Sequence, residues 1–266
     1  MSQGTYLSEN LTPRQIDFML LLNDHELDIF TLDEIRNRLG DEVEDLPALL
    51  ENLADKRILS RIERGKYCRY GFREEHVIGN YLVADGVIAY WSALHHYGLT
   101  EQFPNSVFVQ TTKVKQDKTV FGVYYKFVKI APHKQMGVIW EGYGNHRYRV
   151  TSLEKTLADC FDLPQYSGGY AELIRAFREA DVHSESLIGA CRANRNGSAT
   201  RRMGYLAERF GKRQLRDFVR YAKTLVHEKY TVFDPAGNEE GEYVSSWKLR
   251  MNISEEDLKN IIHRQY

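Results

Sequence analysis

Between residues 11 and 73 the sequence sets three bounded helical segments ahead of one tight hairpin, and that order leaves few folds open. In LTPRQIDFMLLLND, Thr12 stands as N-cap and Pro13 takes the first helical position. Ile16, Met19, Leu20 and Asn23 follow at helical spacing. TLDEIRNRLG opens on Thr31 as N-cap, has Glu34 in capping-box position and stops at Gly40. DLPALLENLADKR puts Leu46, Leu49, Leu50 and Leu53 on one helical face. ILSRIERGKYCRYGF then alternates and turns at Arg64-Gly65. This is the order of a winged helix-turn-helix, in which the hairpin is the wing.

The remainder reads as a second unit. Residues 74–83 form a connector with partial helical character, so the chain divides as 1–73, 74–83 and 84–266. DGVIAYWSALHHYGLT predicts a helix with Asp85 as N-cap and Gly98 as C-cap. NSVFVQTTK, KTVFGVYYKFVKIAP, MGVIWEGYG and HRYRVTS carry β-branched and aromatic residues between breaks, as strands do. Helices follow at 169–180, 184–193, 199–210 and 212–227, with a small strand at 229–233, a strand near Trp247 and a last helix after Ser254. The expected class is α+β: an N-terminal winged helix-turn-helix, then a mixed domain with a β-rich middle and a helical end.

TSLEKTLADCFDLPQYSGGYAELI, from Thr151 to Ile174, concentrates acid and base in one helical run. Thr151 with Glu154 fits a capping box. Lys155, Asp159 and Asp162 share a helix face, and Leu153, Leu157 and Phe161 form its apolar stripe. Pro164 ends the helix and Gly168-Gly169 relax the chain. An acid-acid-lysine metal site needs carboxylates converging from separate elements, so this run reads as architecture, and neither a catalytic set, a metal nor a cofactor is expected. The sequence has no GxxxxGK[ST] loop, no GxGxxG and no GxSxG. His95 and His96 are adjacent and diverge on a helix.

Composition bounds partners more than fold. A net charge of −1 over 266 residues hides strong asymmetry. Residues 1–56 hold four basic and thirteen acidic side chains, whereas 57–73 hold six basic residues against Glu63 alone. Residues 192–223 hold ten basic residues against Glu208 and Asp217. Candidate DNA-binding residues are therefore Arg61, Arg64, Lys66 and Arg69 in the hairpin, with Arg201, Arg202, Lys212, Arg213, Arg216, Arg220 and Lys223 toward the C-terminus. One conflict stands out: the outward face of the third helix would be Ala48, Glu51, Asn52 and Asp55, and phosphates repel its acids. An acidic N-terminal adaptor that docks on a basic protein is the alternative. Three scattered cysteines, Cys68, Cys160 and Cys191, fit a reducing cytoplasm, and neither a signal peptide nor a membrane span is expected.

RILSRIERGKYCRY, VIAYWSALHHYGLTEQFPNSVFVQTT and YRVTSLEKTLADCFDLPQYSGGYAEL, in that order, resemble successive segments of the AbiEi antitoxin family. The resemblance covers residues of roughly 10–230 and implies an antitoxin of an abortive-infection, antiviral defence system. It implies opposition to a nucleotidyltransferase-like toxin encoded beside it, and repression of its own promoter through inverted repeats in double-stranded DNA. It also implies that the wing, Arg61 to Arg69, touches DNA, while Ser92-Ala93-Leu94 and Glu154-Lys155-Thr156 build the C-terminal core.

Overall fold

The computed structural model describes residues 11–39, 45–100, 102 and 104–263. Helix α1 (Pro13–Asp24) starts where the sequence places it: Thr12 Oγ1 accepts from the Gln15 amide and Gln15 returns the bond to the Thr12 amide. Strand β1 (Ile29–Thr31) runs directly into α2 (Leu32–Leu39), and Thr31 and Glu34 exchange capping bonds of 3.0 and 2.7 Å. The expected stop at Gly40 lies outside the described residues. Helix α3 (Leu46–Asp55) buries all four of its leucines, each contributing about 1.5–3 kcal/mol of apolar transfer energy. Strands β2 (Leu59–Glu63) and β3 (Lys66–Arg69) close the hairpin, with Gly65 at φ 74° in the turn. The short strand β1, absent from the sequence expectation, pairs with β3 to give a three-stranded sheet of order β1-β3-β2.

This small sheet has two buried faces, because strand residues alternate. Phe30, Leu59 and Tyr67 point toward the α1–α3 core, while Ile29, Ile62 and Cys68 point the other way. That second face packs with helix α4 (Glu75–Leu82), whose Val77, Ile78 and Leu82 are buried. Residues 74–83 are thus a core layer shared by both halves, and more than the connector expected.

The central sheet has six strands in the order β6-β7-β5-β4-β9-β8. They are β4 (Val87–Ile88), β5 (Ser106–Thr111), β6 (Lys118–Val120), β7 (Val123–Lys129), β8 (Val138–Glu141) and β9 (Tyr148–Thr151). The β5–β7 and β4–β9 pairs are parallel and the others antiparallel. Val107 and Val109 of β5 join the α4 core, while Phe108 joins the opposite core. That opposite core is built by α5 (Tyr90–His96), α6 (Leu153–Asp162), α7 (Tyr170–Glu179), α8 (Ser184–Asn194), α9 (Gly197–Arg209) and α10 (Arg216–Thr224). Ser92, Ala93 and Leu94 are buried, as are Lys155 and Thr156. The C-terminal part forms a small sheet of β10 (Thr231–Val232), β12 (Leu249–Met251) and β11 (Glu242–Val244), then α11 (Glu255–His263). The class is therefore α+β.

Two expected caps fall elsewhere. Asp85 does not cap α5, because β4 intervenes; its carboxylate clasps the end of β5, bonding Thr111 Oγ1 and, at 2.8 Å, the Thr112 amide. Helix α6 is capped by Ser152, which accepts from the Lys155 amide, while Thr151 completes β9 and bonds Thr156. Glu154 instead accepts from the His183 amide and so caps α8 from outside.

Candidate nucleic-acid interface

The hairpin places its four candidate cations in four different settings. Arg64 lies beside the turn, with no carboxylate in ion-pair distance among the described residues. Arg61 pairs with Glu51 of α3 at 3.0 Å, and the Tyr67 hydroxyl donates to the same carboxylate at 2.6 Å. This pairing eases the conflict on α3, since Glu51 arrives at the surface already neutralised. Asn52 and Asp55 remain exposed on that helix. Lys66 turns inward, bonding Glu63 at 2.8 Å and the Leu82 carbonyl at 2.9 Å. Arg69 bonds Asp28 and Asn23.

Those inward contacts join the hairpin to the rest of the molecule. Glu63 collects Lys66 from its own hairpin and Lys115 and Lys118 from the central-sheet region, at 2.8–3.2 Å. Burial alone would raise the Glu63 pKa, but the lysine hydrogen bonds outweigh it and bring it down to about 2. A second seam lies at residues 144–146. Asn145 Oδ1 accepts from the Asp28 and Ile29 amides at 2.8 Å each, extending the β1 edge, and its amide donates to Tyr81. His146 bridges Asp28 at 2.7 Å and Glu74. Burial opposes charge on His146, yet the two carboxylates win and its pKa is raised.

The C-terminal candidates divide sharply. Arg201 is 0% and Arg202 7% exposed, so neither reaches a phosphate, contrary to the sequence expectation. Arg201 donates to the carbonyls of Lys229, Trp247 and Lys248, and Arg202 to that of Val232, so both hold the small C-terminal sheet against α9. The physical reason is geometric: α9 is a central helix buried along most of its length, and the guanidinium groups turn to carbonyls at the ends of the small sheet, that of the buried Trp247 among them. Lys212 is likewise turned in, donating to the Ala180 carbonyl at 2.7 Å. Lys223 lies over the Trp247 ring at 4.1 Å and pairs with Glu208. Arg213 and Arg216 are exposed, and Arg220 pairs with Asp217 at 2.9 Å. Of the five candidates from Lys212 to Lys223, Arg213, Arg216 and Arg220 are the exposed ones, and Arg220 among them is paired.

The α6 charges are taken up by partners within the fold, although Asp159 Oδ2 is buried without a hydrogen bond. Lys155 Nζ contacts Asp159 and donates to Asn194 Oδ1 at 3.2 Å, and Asn194 donates back to Asp159 at 2.9 Å. Asp162 takes bonds from Lys134 and Asn196. Among the described residues no group of three or more His, Cys, Asp or Glu is placed to hold a metal ion. No helix of the described residues is long and apolar enough to cross a membrane.

One surface cluster escaped the sequence reading. Trp140 of β8 is exposed, with the guanidinium of Arg147 5.0 Å and that of Arg149 5.6 Å from its ring centre. The signal present in the sequence was HRYR, which spaces Arg147 and Arg149 two apart so that both lie on one side of a strand.

No family model matches the chain, and no curated protein matches it. Among solved structures, the RV2827C protein from Mycobacterium tuberculosis is similar, with a TM-score of 0.64 over 96% of each chain and 16% sequence identity. At that identity the likeness is one of fold, and it extends across both halves of the chain.

Proposed function

We propose that this chain is the non-enzymatic antitoxin of an abortive-infection toxin–antitoxin pair. In this reading its N-terminal unit is a winged helix-turn-helix that binds double-stranded DNA at promoter inverted repeats. The observation that carries the DNA half is the arrangement of α1, α2 and α3 against a β1-β3-β2 sheet, with Arg64 exposed in the hairpin turn and without an ion pair among the described residues. A wing of this kind lies along phosphate while the third helix approaches the major groove. On α3 the pairing of Glu51 with Arg61 and Tyr67 removes one repulsive charge, and Asn52 is left outward as a base-edge reader. Arg213 and Arg216 are a second phosphate-facing candidate set. Opposition to a nucleotidyltransferase-like toxin rests on the resemblance of the hairpin, α5 and α6 segments to AbiEi antitoxins. The bonding of Lys155 and Asp159 with Asn194, and of Asp162 with Lys134 and Asn196, fits a structural role for the most charged of these segments.

Two experiments test the halves separately. Fluorescence anisotropy with a duplex from the upstream region should show salt-sensitive binding. Arg64→Glu should weaken it and lower the log–log salt slope by about 0.9 for each phosphate that is no longer neutralised. Unchanged binding would reject the wing as the DNA-binding element. Co-expression with the neighbouring gene product should relieve its growth arrest; arrest that persists would end the antitoxin reading. Capture of a basic protein from nuclease-treated lysate, with no duplex binding, would favour the adaptor.

A further inference from the structure

Several surface arginines of this chain are matched by an acid: Arg36 with Asp33, Arg61 with Glu51, Arg209 with Glu255 and Arg220 with Asp217. One cleft departs from that pattern. It has a volume of about 640 Å³ and lies between the N-terminal unit and the edge strand β8 of the central sheet. Arg38 of α2 lines one wall, and Trp140, Arg147 and Arg149 line the other. Among the described residues none of these arginines has a carboxylate in ion-pair distance. Glu26 and Glu34 also line the cleft; Glu34 accepts from the Thr31 amide, which does not neutralise it, but neither carboxylate lies in ion-pair distance of the three arginines, which outnumber them. Trp140 keeps 55% of its surface open although two guanidinium groups already lie near its ring. Asn145 and Tyr81, bonded to each other, add polar groups to the lining.

An open indole flanked by guanidinium groups that have no ion-pair partner among the described residues has a definite chemical complement. The ring offers a stacking face to a planar base, and the guanidinium groups offer forked donors to phosphate oxygens. The cleft volume falls within the usual range for a small-ligand site. We propose that this cleft binds a nucleoside phosphate, its base stacked on Trp140 and its phosphate held by Arg38 and Arg147. Arg149 is held by Asn80 and by the Ala84 carbonyl, so it is less free than Arg147 to turn toward a phosphate. The site stands apart from duplex binding at the hairpin, and Arg64 does not line it. A ligand seated here would touch both halves of the chain at once.

Calorimetric titration of the full chain tests this with three probes: ATP, a short single-stranded oligothymidylate and inorganic pyrophosphate. Saturable binding of ATP or of the oligonucleotide is expected, and whichever binds identifies a free nucleotide or an unpaired strand as the source. Trp140→Leu should weaken that binding by about tenfold or more, the usual cost of losing a base-stacking aromatic. Arg147→Gln should weaken all three probes, and pyrophosphate should bind more weakly than the nucleotide because it has no base. Circular dichroism checks that the fold persists in both variants. Arg64→Glu should leave the titration unchanged, which separates this site from the proposed duplex surface. Absence of saturable binding by both nucleotide probes would overturn the proposal. So would a Trp140→Leu protein that binds like wild type, or pyrophosphate binding as tight as the nucleotide's.

Discussion

The helical end and the seam beneath the hairpin use the same residue types to opposite effect. At the helical end Lys155, Asp159 and Arg201 are sealed from solvent, and among their partners Asn194 and Trp247 are buried as well. At the seam Glu63, Asp28, Glu74 and His146 stay partly open to water and join elements distant in sequence. Interior charges cost heavily when one partner is lost, because the other is left desolvated and alone. Half-open charges are screened, contribute less and follow pH. A basic or acidic run in a sequence therefore says little until the burial of each member is known.

The contrast can be broken most forcefully at α6. Lys155→Met should destabilise by about 3–5 kcal/mol, since it leaves Asp159 buried without its cation. Adding Asp159→Leu should recover much of that loss. Urea unfolding of both variants checks it, and a double variant no more stable than the single one would show that the pair does more than neutralise itself. Next in size is Arg201→Met, expected to cost about 2–3 kcal/mol because the buried Trp247 carbonyl loses its Arg201 donor and the links to the Lys229 and Lys248 carbonyls go with it. Hydrogen exchange should show the effect concentrated in β10 and β12.

At the seam the expected effects shrink. Glu63→Gln should cost about 1–2 kcal/mol at neutral pH. Because the folded pKa is about 2 against an ordinary 4.5, this contribution is complete above pH 4.5 and disappears as pH falls toward 2. Wild type and Glu63→Gln should thus converge in stability under acid. The smallest effect belongs to His146, whose pKa is raised. Its bridge is fully present below about pH 6.5 and weakens as pH rises through the folded value, by about 0.5–1 kcal/mol. Exchange of the Asp28 and Ile29 amides, corrected for intrinsic rates, should quicken over that range, and His146→Ala should abolish the pH dependence.

Local signals made the first half of the chain readable. The Thr12 and Thr31 caps, the α3 leucines and the Arg64-Gly65 turn each act within a few residues, and the structure keeps all of them. Strand β1 escaped because three residues carry no measurable period and its partner β3 lies more than thirty positions further along the chain. Around α6 two adjacent hydroxyls compete for one cap, and Ser152 takes it because Thr151 belongs to β9. The cationic candidates failed selectively for another reason. Arg201 and Arg202 look like surface residues by type, and only the tertiary placement of β10 and β12 gives their donors carbonyls to satisfy. The Trp140 cleft needed α2 and β8 brought together across about a hundred residues of chain, a juxtaposition no window of sequence contains.

On the proposed reading, in which the chain binds promoter inverted repeats, the double burial of the β1-β3-β2 sheet bears on how two copies would share them. From Leu46 to Ile88 the chain passes through successive packed elements, with no slack tether between the hairpin and the central sheet. Two such molecules facing each other across a dyad could not stretch or swivel to suit the spacing of the repeats. The helical phase of the two half-sites would have to match the bodies, and inserting half a turn of duplex between them should cost one molecule its footing.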